Sequence, residues 1–154
     1  MNKDALASTV CETAAEVMEL FAFIFAERMA PEAAPAEMEE ALAVRIACTG
    51  AVTGALTLAV PRSWAESLAA NTLGLDDPGE AEAAAADALK ELANVVCGNL
   101  VTAFVGPDAV VPLGLPRDAP AAEREWERLR AHPDTIALEA DDEPVLVLWE
   151  GKTP

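Results

Sequence analysis

Tyrosine is absent from this chain, histidine occurs once, and ten lysines and arginines face 27 aspartates and glutamates among 154 residues. Each shortage excludes something. A net charge of −17 at neutral pH gives a negative field, which argues against nucleic-acid backbones and anionic membrane surfaces as partners. The one histidine, His132, precedes Pro133 in a polar region with no acid or serine partner near it in sequence, and reads as a loop residue, not a catalytic base. Cys11, Cys48 and Cys97 have no C-x-x-C spacing and cannot all pair, so neither a disulfide framework nor a zinc site is supported, and they read as buried thiols. The most apolar run, Leu20 to Ala26, is far too short to span a bilayer, and the N-terminus lacks the basic flank and cleavage site of a signal peptide, so a cytoplasmic location is expected. Neither G-x-S-x-G nor H-E-x-x-H occurs. Gly50 and Gly54 lack the Lys-Ser/Thr of a phosphate loop and read as turn glycines, and Asp76-Asp77 and Asp141-Asp142 lack calcium-loop spacing.

What is present suits a single α+β domain. Leu6, Val10, Ala14, Val17, Phe21, Ile24 and Arg28 follow the helical period and predict a helix over residues 3–29, stopped by Pro31 and Pro35. The pattern then shortens to two. Alternation over 42–48 and 53–60 about the turn Thr49-Gly50-Ala51-Val52 predicts a hairpin, and a helix over 62–73 follows, opened by Pro61 and ended by Gly74. A long alanine-rich helix is expected from about Glu80 to Phe104, then a short strand at Ala109–Val111 in a proline-rich stretch. One or two amphipathic turns over 121–130 and a second hairpin about Asp141–Pro144 complete the chain. Helix followed by hairpin thus occurs twice, which suggests two duplicated halves sharing one antiparallel sheet with helices on a single face.

The long helix carries the candidate site. Steps of four, three and four residues at about 100° each keep Asp87, Glu91, Asn94 and Gly98 within roughly 60° of arc, while Leu89, Leu92, Val96, Leu100 and Ala103 fall opposite. An apolar back with an acid, amide and glycine front describes a helix docked on a core with a polar strip turned outward. The bland alternative is a merely solvated helix face. The first helix repeats the spacing as Ser8, Glu12, Ala15 and Glu19. There the amide is missing.

The string Asp87-Ala-Leu-Lys-Glu91-Leu-Ala-Asn94-Val-Val-Cys-Gly98-Asn99 resembles the signature D/S-x3-E-x2-N-x3-G-N of the CheC/CheX/FliY family of response-regulator phosphatases. The preceding Thr49–Pro61 hairpin segment and the helix ending at Leu73-Gly74 look like their counterparts in that family. With one intact signature and one degraded copy, the chain is most similar to CheX. The resemblance implies a pseudo-duplicated domain with long helices on one face of an antiparallel sheet, a degenerate half over about 1–61 and the half with the intact motif over about 62–154. It implies a hydrolase acting on the aspartyl phosphate of a CheY-like receiver in chemotaxis or related two-component signalling. In that scheme Asn94 positions the attacking water, its carbonyl accepting from the water and its NH2 donating to a phosphoryl oxygen. Glu91 pairs with a lysine of the receiver, Asp87 and Gly98 belong to the partner-binding strip, and Asn99 is structural. No cofactor of the chain's own is implied, Mg2+ being held by the receiver. A homodimer and a CheD-like regulator are the further partners implied. The rival is a non-catalytic adaptor that binds a receiver through the same helix face. Ala15 departs from the pattern, and residues 121–133, with Trp126, have no place in it and read as a lid, an oligomer contact or a solvated loop.

Overall fold

The computed structural model describes residues 1–153. In chain order the elements are α1 (Lys3–Ala22), β1 (Ala26–Met29), a 3-10 turn (Pro31–Ala33), β2 (Ala41–Cys48), β3 (Thr53–Pro61), α2 (Arg62–Leu73), α3 (Pro78–Val105), β4 (Arg117–Asp118), α4 (Ala122–Ala131), β5 (Ile136–Ala140) and β6 (Glu143–Lys152). The six strands form one antiparallel sheet in the order β1-β5-β6-β3-β2-β4. That order is symmetric about the β3–β6 seam, with a hairpin on each side and a short strand at each edge.

Period-two alternation gives this sheet two unequal faces. One set of alternate positions is large and apolar, with Val44, Ile46, Leu56, Leu58, Leu138, Val147 and Trp149, and packs under α1, α2 and α3. The other is floored mainly by Ala41, Ala43, Ala59 and Ala137, with Leu146 and Leu148, and there α4 lies. The long helices do share one face, as expected, but α4 covers the other, so the sheet is not clothed on a single side. Small floor residues make room for Trp126, which is fully buried and donates its indole N–H to the carbonyl of Pro35 at 2.9 Å. Arg130 adds donations to the carbonyls of Ala34 at 2.8 Å and Glu32 at 3.0 Å, clamping α4 to the 3-10 turn. Trp126 is therefore neither a lid nor a solvated loop residue. It anchors a second, smaller core, and truncating such a ring to alanine costs about 3–5 kcal/mol.

Three boundaries differ from the sequence expectation. α1 ends at Ala22, because Phe23 takes a left-handed conformation (φ 57°), with its N–H bonded to the carbonyl of Glu19 and that of Ile24 to Met18. Residues 26–29, which continue the helical period, instead pair with β5 at the sheet edge. No strand forms at Ala109–Val111. The chain touches β2 later, through a bridge of Leu113 to Cys48 and then β4, since Pro112, Pro116 and Pro120 carry no N–H for a regular ladder. Gly54 lies within β3, not in the turn. A Cβ there would stand 2.6 Å from the Trp149 ring and 2.7 Å from the carbonyl of Glu150, so the side chain of Trp149 occupies that space.

The remaining predicted elements hold nearly to the residue. Asp141 and Asp142 both have positive φ (52° and 63°) and form the two-residue link between β5 and β6 that hairpin twist favours. α3 is long and apolar enough to cross a membrane by composition alone. Its buried residues, however, pack against α1, α2 and the sheet, which makes it a core helix.

Candidate active site on the outer face of α3

Asp77 caps α3, its carboxylate accepting from the N–H of Gly79 at 3.1 Å, and Pro78 fills the first position, where no N–H is needed. The helix then runs 28 residues, with Ala81, Ala85, Ala88, Leu89, Leu92, Ala93, Val96, Cys97, Leu100 and Val101 buried. Ala85, Ala88 and Ala93 on this inner side share one core with Ala65, Leu68 and Ala69 of α2, and the two helices pack against each other. Leu89, Leu92, Val96 and Leu100 face the core as predicted. Ala103 does not, being exposed in the last turn of the helix.

The predicted strip is present and turned outward. Asp87 and Glu91 are exposed, and Asn94 and Gly98 are half-buried along the same line. Its four members differ in their engagements. Asp87 is joined to Lys90 at 4.0 Å, and Lys90 reaches across to Asp118 of β4 at 3.0 Å. Glu91 and Asn94, by contrast, have no hydrogen-bond or ion-pair partner among the described residues. A carboxylate and an amide one turn apart, neither satisfied internally, are available to an incoming molecule. Lys90 went unnoticed in the sequence. The i,i+3 spacing to Asp87 was visible, but its stronger tie to Asp118 depends on how β4 lies beside the helix.

Gly98 is half-buried with open space above it. A Cβ added there would meet only a Leu113 methyl at 3.9 Å, which is ordinary contact. Packing within the chain does not require glycine, although glycine in a helix interior costs about 1 kcal/mol relative to alanine. The neighbouring polar groups are spent on the helix itself: Asn99 donates to the carbonyl of Val95 at 2.8 Å and Thr102 to that of Gly98 at 3.0 Å. Asn99 is thus structural, as expected. Beneath the strip the Cys97 thiol faces Cys48, and burial, reinforced by that neighbour, pushes its pKa up to about 12. It is an inert packing group.

On α1 the matching strip is also outward, with Ser8, Glu12 and Glu19 exposed and Ala15 half-buried. It offers no amide. Of the two long helices, α3 alone presents acid and amide together along its outward strip. No metal-binding group of three or more His, Cys, Asp or Glu occurs among the described residues.

The fold is a symmetric antiparallel sheet with two long helices on one face, one of them bearing an outward Glu-x2-Asn strip. A family model described as Chemotaxis phosphatase CheX matches residues 42–118, from β2 through α3 to β4, and the chain belongs to that family. Solved structures agree on the fold. A chemotaxis protein CheX from Vibrio vulnificus superposes with a TM-score of 0.70 at 12% identity, covering 99% of each chain. The CheX protein of Desulfovibrio desulfuricans gives 0.68 at 13% identity, covering 96% of this chain and 99% of its own. A structure of the CheX-CheY-BeF3-Mg2+ complex from Borrelia burgdorferi gives 0.63 at 15% identity, covering 93% of this chain and 95% of its own. No curated protein matches the sequence.

Proposed function

We propose that this chain hydrolyses the aspartyl phosphate of a CheY-like receiver, with Asn94 positioning the attacking water and Glu91 anchoring the receiver. The observation that carries it is the pairing of an unengaged carboxylate and an unengaged amide one helical turn apart on an exposed face. An acyl phosphate beside a receiver-bound Mg2+ needs little new chemistry. What an accessory protein contributes is orientation of water in line with the P–O bond, worth several kcal/mol. A neutral amide suits the task, accepting from the water and donating to a phosphoryl oxygen. Glu91 meets a cationic group of the receiver. No nucleophile of this chain is used and no covalent intermediate forms. A solved relative in complex with CheY supports a receiver as the partner class, and a cytoplasmic location goes with such a partner.

The same reading extends to assembly as a homodimer. Leu20, Phe23 and Phe25 are exposed by 72–80% where α1 gives way to β1, and among the described residues no strand lies beside the outer edge of β1. Apolar rings next to an open sheet edge form a surface suited to a second copy.

The test is to mix the protein with phosphorylated receiver domains and Mg2+ and follow phosphate release, with wild type beside Asn94→Ala. Release that depends on Asn94 establishes the phosphatase. A receiver that binds without losing phosphate any faster makes the protein an adaptor instead.

A further inference from the structure

We infer that Leu115, on the edge segment that runs from Leu113 to Asp118, forms a second wall of the α3 site and takes an apolar side chain that the receiver presents beside its aspartyl phosphate, so that this leucine selects among receivers. The inference rests on the receiver-binding reading above and extends the site to a residue off the helix.

Lys90, Asn94 and Gly98 follow one another by four residues and so form one line along a flank of α3. Both ends of that line touch the same segment. Lys90 reaches Asp118 at 3.0 Å, and a Cβ on Gly98 would meet the Leu113 methyl at 3.9 Å. The segment therefore runs beside the helix in the opposite sense, and its middle residues, Leu115 and Pro116, lie level with Asn94, the middle of the line. Asn94 is half-buried while Glu91 is exposed, which fits a wall on that flank.

Register accounts for the exposure of Leu115. Leu113 bridges Cys48 of β2, while Arg117 and Asp118 pair with Arg45 and Val44. From Cys48 to Val44 the strand takes four steps, and from Leu113 to Asp118 the segment takes five, so one residue is extra and the edge bulges. Gly114 donates its N–H to the carbonyl of Ala47 at 2.7 Å, and Pro116 has none to give. Leu113 packs against the core, but Leu115 is 80% exposed. Bulges at sheet edges beside active sites serve to re-aim a side chain. A lone exposed leucine is ordinary on a protein surface. This one stands level with an amide that has no hydrogen-bond partner among the described residues. Covered by a partner, it withdraws apolar surface from water and closes that flank of Asn94 to bulk solvent, where hydrogen bonds to the attacking water and a phosphoryl oxygen gain strength.

Titration with receiver domains loaded with beryllofluoride and Mg2+, a stable stand-in for the phosphorylated state, reads affinity, and phosphate release at saturating receiver reads turnover. Leu115→Ser should weaken binding by about tenfold or more, as loss of a buried leucine side chain implies, with the saturated rate within about twofold of wild type. Leu115→Met should retain most of the affinity. Leu73→Ser, which trims an exposed leucine at the C-terminal end of α2, should leave it unchanged. Urea midpoints confirm that each variant folds. If Leu115→Ser binds as tightly as wild type, or Leu73→Ser is weakened equally, the wall is refuted, while release that depends on Asn94 leaves the phosphatase reading standing. If binding depends on Leu115 but Asn94→Ala releases phosphate at the wild-type rate, the wall stands and the role of Asn94 falls. Binding by no receiver removes both.

Discussion

Lys90 of α3 and Asp118 of β4 meet at 3.0 Å, a contact that fastens the site helix to the edge strand and draws the only lysine of α3 away from Glu91. Adjacent residues on a helix point about 100° apart, so Lys90 leans toward β4 while Glu91 faces outward. An internal partner for Glu91 would have had to be broken before a receiver could dock. On the proposed reading, holding Lys90 on Asp118 and Asp87 removes that cost for Glu91.

Substitutions in the strip should separate its two roles. Asn94→Ala is expected to lower catalysed phosphate release by about 100-fold or more with receiver affinity nearly unchanged, the loss falling on positioning. Glu91→Ala should weaken docking and turnover together. Single-turnover kinetics against receiver concentration distinguishes the two, and equal kinetics in wild type and Asn94→Ala would remove Asn94 from the mechanism.

Gly98→Ala should make the protein more stable and less useful. With only the Leu113 methyl at 3.9 Å to accommodate, the added methyl fits the chain and should stabilise α3 by about 1 kcal/mol. If the open space is reserved for the receiver, affinity should fall. Chemical denaturation and a receiver-binding titration on the same variant read both effects, and an unchanged affinity would leave Gly98 outside the interface.

Acid should loosen α4 from the sheet. Hydrogen bonding from Arg128, opposed by partial burial and helped by the charges of Arg128 and Arg45, holds the Glu150 carboxyl below its usual range. A depressed carboxyl stabilises the fold above the unfolded value of about 4.3, and that contribution is lost as pH falls through the folded value. The urea midpoint should therefore drop below about pH 4.3. Arg128→Gln should lower it at pH 7, and the gap between variant and wild type should narrow toward pH 3.

Alkali acts in the opposite sense on the thiols. Burial pushes Cys97 up to about 12 and raises Cys48 as well. A raised thiol favours the folded state while the unfolded thiol is ionised only above about 8.5, so stability is full below that pH and declines from there toward 12. Unfolding midpoints between pH 7.5 and about 10.5 should fall in wild type and fall less steeply in Cys97→Ala.

Where local signals agreed, the sequence was enough. The β2–β3 hairpin had alternation and a Gly50 turn, α2 had Pro61 before it and Gly74 after it, and α3 had its period and caps. The Glu91 and Asn94 line was legible because helical spacing alone sets which residues share a face. Phe23 gave no warning that it would end α1, since left-handed caps usually fall to glycine or asparagine. β1 stayed hidden because Ala26–Met29 becomes a strand through pairing with β5, more than a hundred residues along the chain. The tie between Lys90 and Asp118, the vacant flank of Gly98 and the facing of Arg45 by Arg117 all depend on register or distance across the fold. No window of sequence contains them.

The blank strip on α1 also fixes a number. With Ala15 where an amide would be needed, the proposed phosphatase reading gives each chain one working face and so one receiver at a time. On that reading signal termination would be limited by stoichiometry as well as by rate: the count of copies in the cell would set how many receivers are being silenced at any instant. A sister protein with both helices armed would reach the same capacity with half as many molecules.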